Sequence, residues 1–493
     1  MSMSNQYMQT QIEILLVHQI KTPRDQLFSH RLAVYCDPEH LFVYLLGMQI
    51  LLTSAYLTPL KKLCLGLILC FWLPAFEEEL SAQNNNKTWS FVQQPKEAKP
   101  LNSIWVFKVI KDEEGNVKRF KARLCAEGCE QKHGIDYTET FAPVVRYDSI
   151  RVLLVWVAMH DLEIKTFDVC TAFLYGELDH TIYMKVPTGV EIPNSVKNKF
   201  KNIESVVLLL IKSIYGLKQA PRCWNSKFVM FLKRFNFVAN QADKCVFIGK
   251  VLGFIVILAI FVDNGMVISM SMDAILELLT CLESEFNITV SNANKFIGLQ
   301  ICRNRSEKSL FIHQSQYTKE LLQKFNVNFD KTMCVPADPN VILCPGEGKN
   351  LESAKNYPYL QARVSLLYLS TVSRPDIAYI VNVLSRYMNK FDLNHVRAFK
   401  RVFAYLAGHL NYNIKYQNSK NGNLVGFSVS DFATDIETRR SVTGYVFYTL
   451  VHKIVFAHSC ISSVLKLSIS ALAWKVLLFV RLDVLKVIFF HLY

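Results

Sequence analysis

The stretch "ILAIFVDNGMVIS", residues 257–269, sets a carboxylate between two apolar runs. The pattern reads as two short buried strands joined by a tight turn, with Asp263 at the tip and Asn264 and Gly265 just after it. Asp168 occupies a second such place, in "FDVCTAFLYGEL" (167–178), where a strand-like run passes into a helix-like one. Each acid alone says little, because aspartates are common in turns. A βαββ arrangement of the ferredoxin-like split type would set both on one sheet. Two such acids suit a pair of magnesium ions, the requirement of two-metal phosphoryl transfer. One ion activates the attacking hydroxyl and the other stabilises the leaving oxygen. Asn264 stands where a second acid of the turn would complete the ligand set.

Composition agrees with a polyanionic partner. The 493 residues carry a formal charge of +14, which points to nucleic acid, although a basic surplus also serves solubility. A hydrophobic content of 51% excludes a disordered chain and provides for at least one large core. The thirteen cysteines are scattered singly. Cys125 and Cys129 have no histidine ligand pattern beside them, so neither a zinc site nor a disulfide framework is indicated, and a reducing, intracellular compartment is expected.

Four regions differ in texture. Residues 1–74 are irregular and apolar, and are read as lying outside the main fold. Their runs "LFVYLLGMQILLTSAYL" (41–57) and "CLGLILCFWL" (64–73) are interrupted or too short for a membrane anchor, and no signal peptide is evident. Residues 75–330 alternate strand and helix patterns. "IWVFKVI", "KDEEGN" and "VKRFKARLCAEG" (104–128) read as a hairpin with a basic second strand, and "IRVLLVWVAMH" (150–160) as a helix. Residues 331–420 are helical. Val396, Phe399, Val402, Phe403, Leu406 and Leu410 share one helix face, which leaves Arg397, Lys400 and Arg401 on a solvated one. Residues 421–493 open with the strand pair "LVGFSVSDF" and "TGYVFYTL" and close in an apolar tail.

With these elements in place, the sequence resembles the reverse transcriptase region of copia-type retrotransposon polyproteins. The resemblance rests on "EEELSAQNNNKTWSFV" (77–92), "WVFKVIKDEEGNVKRFKARLCAEG" (105–128), "GIDYTETFAPVVRYDSIRVLL" (134–154), "FDVCTAFLYGEL" (167–178), "IYMKVPTG" (182–189), "SIYGLKQAPRCW" (213–224), "RPDIAY" (374–379) and "TRRSVTGY" (438–445). These stretches occur in the family's order and cover roughly 75–470. The resemblance implies an α+β right-hand polymerase. Its fingers and ferredoxin-like palm would span 75–330, its thumb and connection helices 331–420, and a truncated RNase H-like α/β region 421–493.

The resemblance also implies roles for particular residues. Asp168 and Asp263 become metal ligands for two Mg2+ or Mn2+ ions. Lys121 and Arg123 would meet the triphosphate of a deoxynucleotide, Gln219 would lie against nucleotide and template, and Lys218 and Arg222 would serve phosphates. Tyr175 falls in the segment that senses the sugar's 2′ position. The partners implied are an RNA template, a DNA or RNA primer and deoxynucleoside triphosphates.

The family's tyrosine–valine–aspartate–aspartate box matches Phe261, Val262, Asp263 and Asn264. A divalent cation favours anionic oxygen over an amide, so polymerase activity is expected to be strongly reduced. In the RNase H-like region, Val429 replaces the first catalytic acid, and Ala471 and Ala473 stand where glutamates would. Asp431 and Asp435 remain there as a remnant, so RNase H activity is expected to be absent. No nucleocapsid knuckle, aspartic-protease motif or integrase zinc pattern is found. The chain reads as a polyprotein fragment or a decayed insertion. The alternative function is a catalytically inert, nucleic-acid-binding relic of the element.

Overall fold

A computed structural model describes residues 59–462, apart from 112–115, 201, 328–329, 347–353, 418–423, 431–438, 440 and 450–455. The apolar run 41–57, the C-terminal tail, and Asp431, Asp435, Ala471 and Ala473 lie outside the described residues. Among the described residues the strands are, in chain order, β1 (Trp89–Gln93), β2 (Ser103–Lys111), β3 (Val117–Ala126), β4 (Glu163–Val169), β5 (Glu177–Lys185), β6 (Val206–Lys212), β7 (Val238–Ala239), β8 (Val246–Val251) and β9 (Phe254–Phe261). They continue with β10 (Asn264–Ser269), β11 (Ile288–Asn292), β12 (Lys295–Phe296), β13 (Leu299–Asn304), β14 (Ser309–His313), β15 (Ile414–Gln417), β16 (Leu424–Ser430), β17 (Ser441–Thr449) and β18 (Phe456–Ser462). Helix and sheet are thus mixed throughout, and the chain divides into two compact units.

The first unit is built from residues up to Ala142 together with Thr171–Met230. It holds the antiparallel sheet β1-β6-β5 and the hairpin β2-β3. The hairpin forms where β-branched and aromatic residues alternate on either side of the turn signal "KDEEGN". The helix Pro59–Asn85 adds to this core: Trp72 meets the rings of Phe107 and Phe120 edge-on at 5.0 and 4.9 Å, and Phe76 lies 4.3 Å from Trp105. Trp72, Ala75 and Phe76 are buried, each contributing about 1–3 kcal/mol of apolar transfer. The boundary expected at 74 therefore falls inside a helix whose apolar side chains complete the hairpin's core. Among the described residues no helix is long and apolar enough to cross a membrane.

The second unit is built from Pro143–Cys170 and the chain from Phe231 onward. Its main sheet is antiparallel, in the order β11-β4-β10-β9-β8-β7. The helix Met272–Glu283 lies against this sheet, capped by the Ser271 hydroxyl and burying Ala274, Ile275, Leu278, Leu279 and Leu282 at helical spacing. The helix Tyr147–His160 forms as its pattern requires, with Ile150, Leu153, Leu154 and Val157 buried.

A second antiparallel sheet has the order β12-β13-β14-β15, in which Ile312 pairs with Ile414. This sheet joins chain on both sides of the boundary expected at 330, because β15 returns from the far end of the helical region to close it. Between them the helices Tyr359–Val372, Ala378–Ser385 and Leu393–Gly408 share one core. In the last helix Val396, Phe399, Val402, Phe403 and Leu406 are buried and Arg397 and Lys400 exposed, as the spacing indicates, whereas Arg401 is half-buried and pairs with Asp338 at 3.1 Å. Strands β16, β17 and β18 form a three-stranded antiparallel sheet, with Val429 opposite Gly444 and exposed.

Candidate active site

The strands that carry the two acids are neighbours. β4 and β10 pair antiparallel with Asp168 directly opposite Asn264, while Thr289 of β11 flanks Asp168 on its other side. Directly opposed residues project from the same face of a sheet, so Asp168 and Asn264 share one face. Phe167 and Gly265 take the other. A Cβ at Gly265 would collide with the Phe167 ring, and this lets the two strands close with an aromatic ring lying over the glycine. The backbone N–H of Val169 donates to the Asp263 carbonyl at 2.8 Å, which ties the turn to the end of β4.

The turn itself has two residues, Val262 and Asp263, between the paired Phe261 and Asn264. Val262 sits at φ 57°, a left-handed conformation that a β-branched residue rarely adopts. Such strain persists where the surrounding structure over-determines it, here through the flanking ladder and the Val169 bond. Asp168 is exposed, and Asp263 and Asn264 are half-buried. The Asn264 side-chain nitrogen donates to Asp263 Oδ1 at 2.8 Å. Among the described residues no group of three or more His, Cys, Asp or Glu side chains is placed to hold a metal ion. The donor set is two carboxylates and an amide oxygen. Hard divalent cations favour anionic oxygen, and Asn264 supplies one anion fewer than an acid at that position would.

Lys121 and Arg123 lie two residues apart on β3, opposite Lys108 and Val106, so they share a face of the hairpin. The Arg123 guanidinium lies 4.7 Å over the Tyr215 ring, a cation–π contact that helps hold it in place. Beneath the strand lies Glu79, a residue the sequence reading did not single out. Its Oε1 accepts from the Leu124 N–H at 3.3 Å and from Gln83 Nε2 at 2.8 Å. Burial pushes the Glu79 carboxyl above its usual range, opposed by those hydrogen bonds and by the charges of Arg123 and Lys121. "EEEL" offers three successive acids, and only the buried face of the helix distinguishes Glu79 from its exposed neighbours Glu77 and Glu78.

The segment after Asp168 departs from the expected helix. A single 3-10 turn, Ala172–Tyr175, leads straight into β5, and Thr171 before it takes φ 53°. Tyr175 is half-buried, its ring 6.1 Å from that of Trp224. Gln219, expected against nucleotide and template, is fully buried. Its Nε2 donates to the Asp136 carbonyl at 2.8 Å, and its Oε1 accepts from Gln131 Nε2 at 3.0 Å. A buried amide satisfied on both ends holds a loop in place.

Lys218 is exposed, its Nζ donating to the Gln131 carbonyl at 3.2 Å and lying 4.9 Å from the centre of the Tyr137 ring. Arg222 donates through Nε to the Glu139 carbonyl at 2.8 Å and pairs with Asp179. Asp168, Asp263 and Asn264 belong to the second unit, and Lys121, Arg123, Lys218, Gln219 and Arg222 to the first.

Comparison with known proteins places this arrangement in a family. Residues 86–339 match the model of the reverse transcriptase (RNA-dependent DNA polymerase) family. The chain is 35% identical over 381 residues to the retrovirus-related Pol polyprotein from transposon TNT 1-94 of Nicotiana tabacum, covering 76% of this chain and 28% of the relative. It is 31% identical over 385 residues to the corresponding polyprotein from transposon RE2 of Arabidopsis thaliana, covering 78% of this chain and 26% of the relative. It thus spans about a quarter of the length of these relatives. Among solved structures, a foamy viral protease-reverse transcriptase in complex with double-stranded DNA aligns over 79% of this chain and 55% of its own. That alignment has a TM-score of 0.39 and 11% identity. On the family match, the chain belongs to the reverse transcriptases, as the domain found in the Pol polyproteins of copia-type retrotransposons.

Proposed function

We propose that the chain is an RNA-directed DNA polymerase domain whose chemistry is impaired at Asn264. The observation that carries this reading is the direct pairing of the Asp168 strand with the Asp263–Asn264 hairpin. On this reading the sheet β11-β4-β10-β9 is a ferredoxin-like palm, and the hairpin β2-β3 belongs to the fingers. The helices between Tyr359 and Gly408 form the thumb and connection. The sheet β16-β17-β18 is a remnant of an RNase H-like domain, inactive because Val429 replaces an acid.

The reaction is attack of a primer 3′-hydroxyl on the α-phosphorus of a deoxynucleoside triphosphate, with diphosphate leaving. Asp168 and Asp263 are the residues that would hold magnesium or manganese, which lowers the hydroxyl's pKa and offsets charge on the leaving oxygens. Lys121 and Arg123 would supply cations for the triphosphate, with Arg123 resting over the Tyr215 ring. Template and primer would be bound chiefly through their phosphates, without base-sequence preference and with affinity falling steeply with salt. An intracellular setting would keep the cysteines reduced.

The hydrogen bond from Asn264 to Asp263 favours a second reading, an inert relic that binds nucleic acid without copying it. Template-dependent nucleotide incorporation decides between the two. The assay compares this chain, Asn264→Asp and Asp168→Ala, with magnesium and with manganese. The first reading expects weak activity in the native chain, a gain of about tenfold or more in Asn264→Asp and none in Asp168→Ala. No incorporation by either of the first two proteins supports the relic. Equal activity in both removes the lesion from Asn264.

A further inference from the structure

A nucleophilic pair unrelated to the polymerase site lies on the exposed face of the sheet β12-β13-β14-β15. Cys302 on β13 is exposed, and its Sγ lies 3.5 Å from Nε2 of His313 on β14. Gln300 stands directly opposite His313, and Cys302 is the next residue of β13 on that face. The His313 Nδ1 lies 2.9 Å from the Ser315 hydroxyl, which in turn lies 3.3 Å from Gln300 Oε1. The Gln316 backbone N–H also donates to Gln300 Oε1, at 3.0 Å.

These contacts fix the direction of every hydrogen bond. A backbone N–H only donates, so the Gln300 atom that faces it is the carbonyl oxygen. The Ser315 hydroxyl must then donate to that oxygen and accept from His313 Nδ1–H. This leaves Nε2 with its lone pair toward Cys302. Partial burial pushes the imidazole's pKa down, which keeps the ring neutral and able to accept a proton.

The other described cysteines differ. Cys245 and Cys125 are pushed up to about 12 and about 11 by burial. Cys129, Cys334 and Cys344 are exposed. Among the described residues Cys302 alone combines exposure with an imidazole nitrogen at hydrogen-bond distance.

We propose that Cys302 is a covalent modification site, a thiol activated by His313 that reacts with hydroperoxides and other soft electrophiles. With a hydroperoxide the thiol proton passes to His313 Nε2 as sulfur attacks one peroxide oxygen. The S–O bond forms, the O–O bond breaks, and the departing oxygen takes the proton from His313. The products are a cysteine sulfenic acid and water, or an alcohol from an alkyl hydroperoxide. Sulfur is oxidised and the peroxide reduced. With an alkyl iodide the S–C bond forms, iodide leaves and the proton remains on His313. Gln300 and Ser315 are positioning residues that select the tautomer.

The test is limited iodoacetamide labelling of the folded full chain, followed by peptide mass spectrometry of each cysteine, with hydrogen peroxide and a sulfenic-acid probe in parallel. Cys302 is expected to react about tenfold or more faster than Cys129, Cys334 and Cys344, as general-base assistance requires. His313→Gln should bring it to their level, and Ser315→Ala should remove part of the advantage. Denaturant should abolish the ranking in the native sequence. The proposal is overturned if Cys302 ranks no higher than the other exposed cysteines. It is equally overturned if His313→Gln, shown folded by an unchanged melting temperature, leaves its rate unaltered. Should that variant fail to fold, the native ranking and Ser315→Ala decide in the same way.

Discussion

Asn264 donates its side-chain amide to Asp263 Oδ1 at 2.8 Å, so two positions that would repel each other as adjacent carboxylates attract each other here. The pair is self-satisfied. On the proposed reading, the residue that weakens metal binding also stabilises the metal-free turn. Asn264→Asp should lower the melting temperature in a metal chelator. It should also create a magnesium-dependent rise that the native chain shows weakly or not at all, since a bound ion stabilises the folded state by mass action. Thermal melts with and without magnesium check this, and identical responses of the two proteins contradict it.

Gly265 sets the spacing of the strands that carry the acids. Gly265→Ala forces a methyl group into the Phe167 ring, at an overpacking cost of about 1–3 kcal/mol. Denaturant unfolding measures the loss. Pairing the change with Phe167→Leu should recover part of it, because the obstructing ring is then gone.

Gln219 separates a structural role from a nucleotide-contacting one. Gln219→Ala strips partners from Gln131 and from the Asp136 carbonyl, and should destabilise the fold by about 1–3 kcal/mol. The check is chemical unfolding in the absence of any nucleotide. An unchanged midpoint, together with weakened deoxynucleotide binding, would return Gln219 to the ligand.

Glu79 gives a pH signature whose sign follows from its raised pKa. Between the ordinary carboxyl value of 4.5 and the folded-state value, the folded chain binds more protons than the unfolded one. The contribution of Glu79 to stability is therefore full below 4.5 and is lost as pH rises through the folded value. Glu79→Gln, which still accepts from Leu124, should melt progressively higher relative to the native chain as pH rises across that window. Melting temperatures from acid to neutral pH test it, and a constant difference would show that burial does not govern this carboxyl.

Much of the second unit was legible because its strands and helices have strong, opposed periodicities. The run "ILAIFVDNGMVIS" allows little but a buried hairpin, and the face defined by Val396, Phe399, Val402, Phe403 and Leu406 is buried as its spacing demands. The adjacency of Asp168 and Asp263 followed from a topology argument that no local pattern states. The first unit was read less well, for identifiable reasons. The run ending at Leu73 looked foreign because hydropathy does not reveal that Trp72 has partners in Phe107 and Phe120. The helix expected after Asp168 shrank to one turn because the chain passes through Gly176 into β5 at Glu177. Gln219 and Arg222 carry ligand-binding groups, and only tertiary packing shows that Asp136, Gln131, Glu139 and Asp179 already engage them.

The order of strands β11-β4-β10 has a consequence for how the chain acquires its shape. β4 is synthesised early, yet both its neighbours come from chain made after residues 171–230 have been devoted to the other unit. During that interval β4 presents two open edges, and its eventual pairings are long-range ones whose loop-closure entropy is met before any ladder forms. A nascent chain or truncated product ending before Ile288 would leave one edge of this strand exposed, a template for pairing with other chains. Partial products of this sequence should therefore aggregate where the longer chain folds.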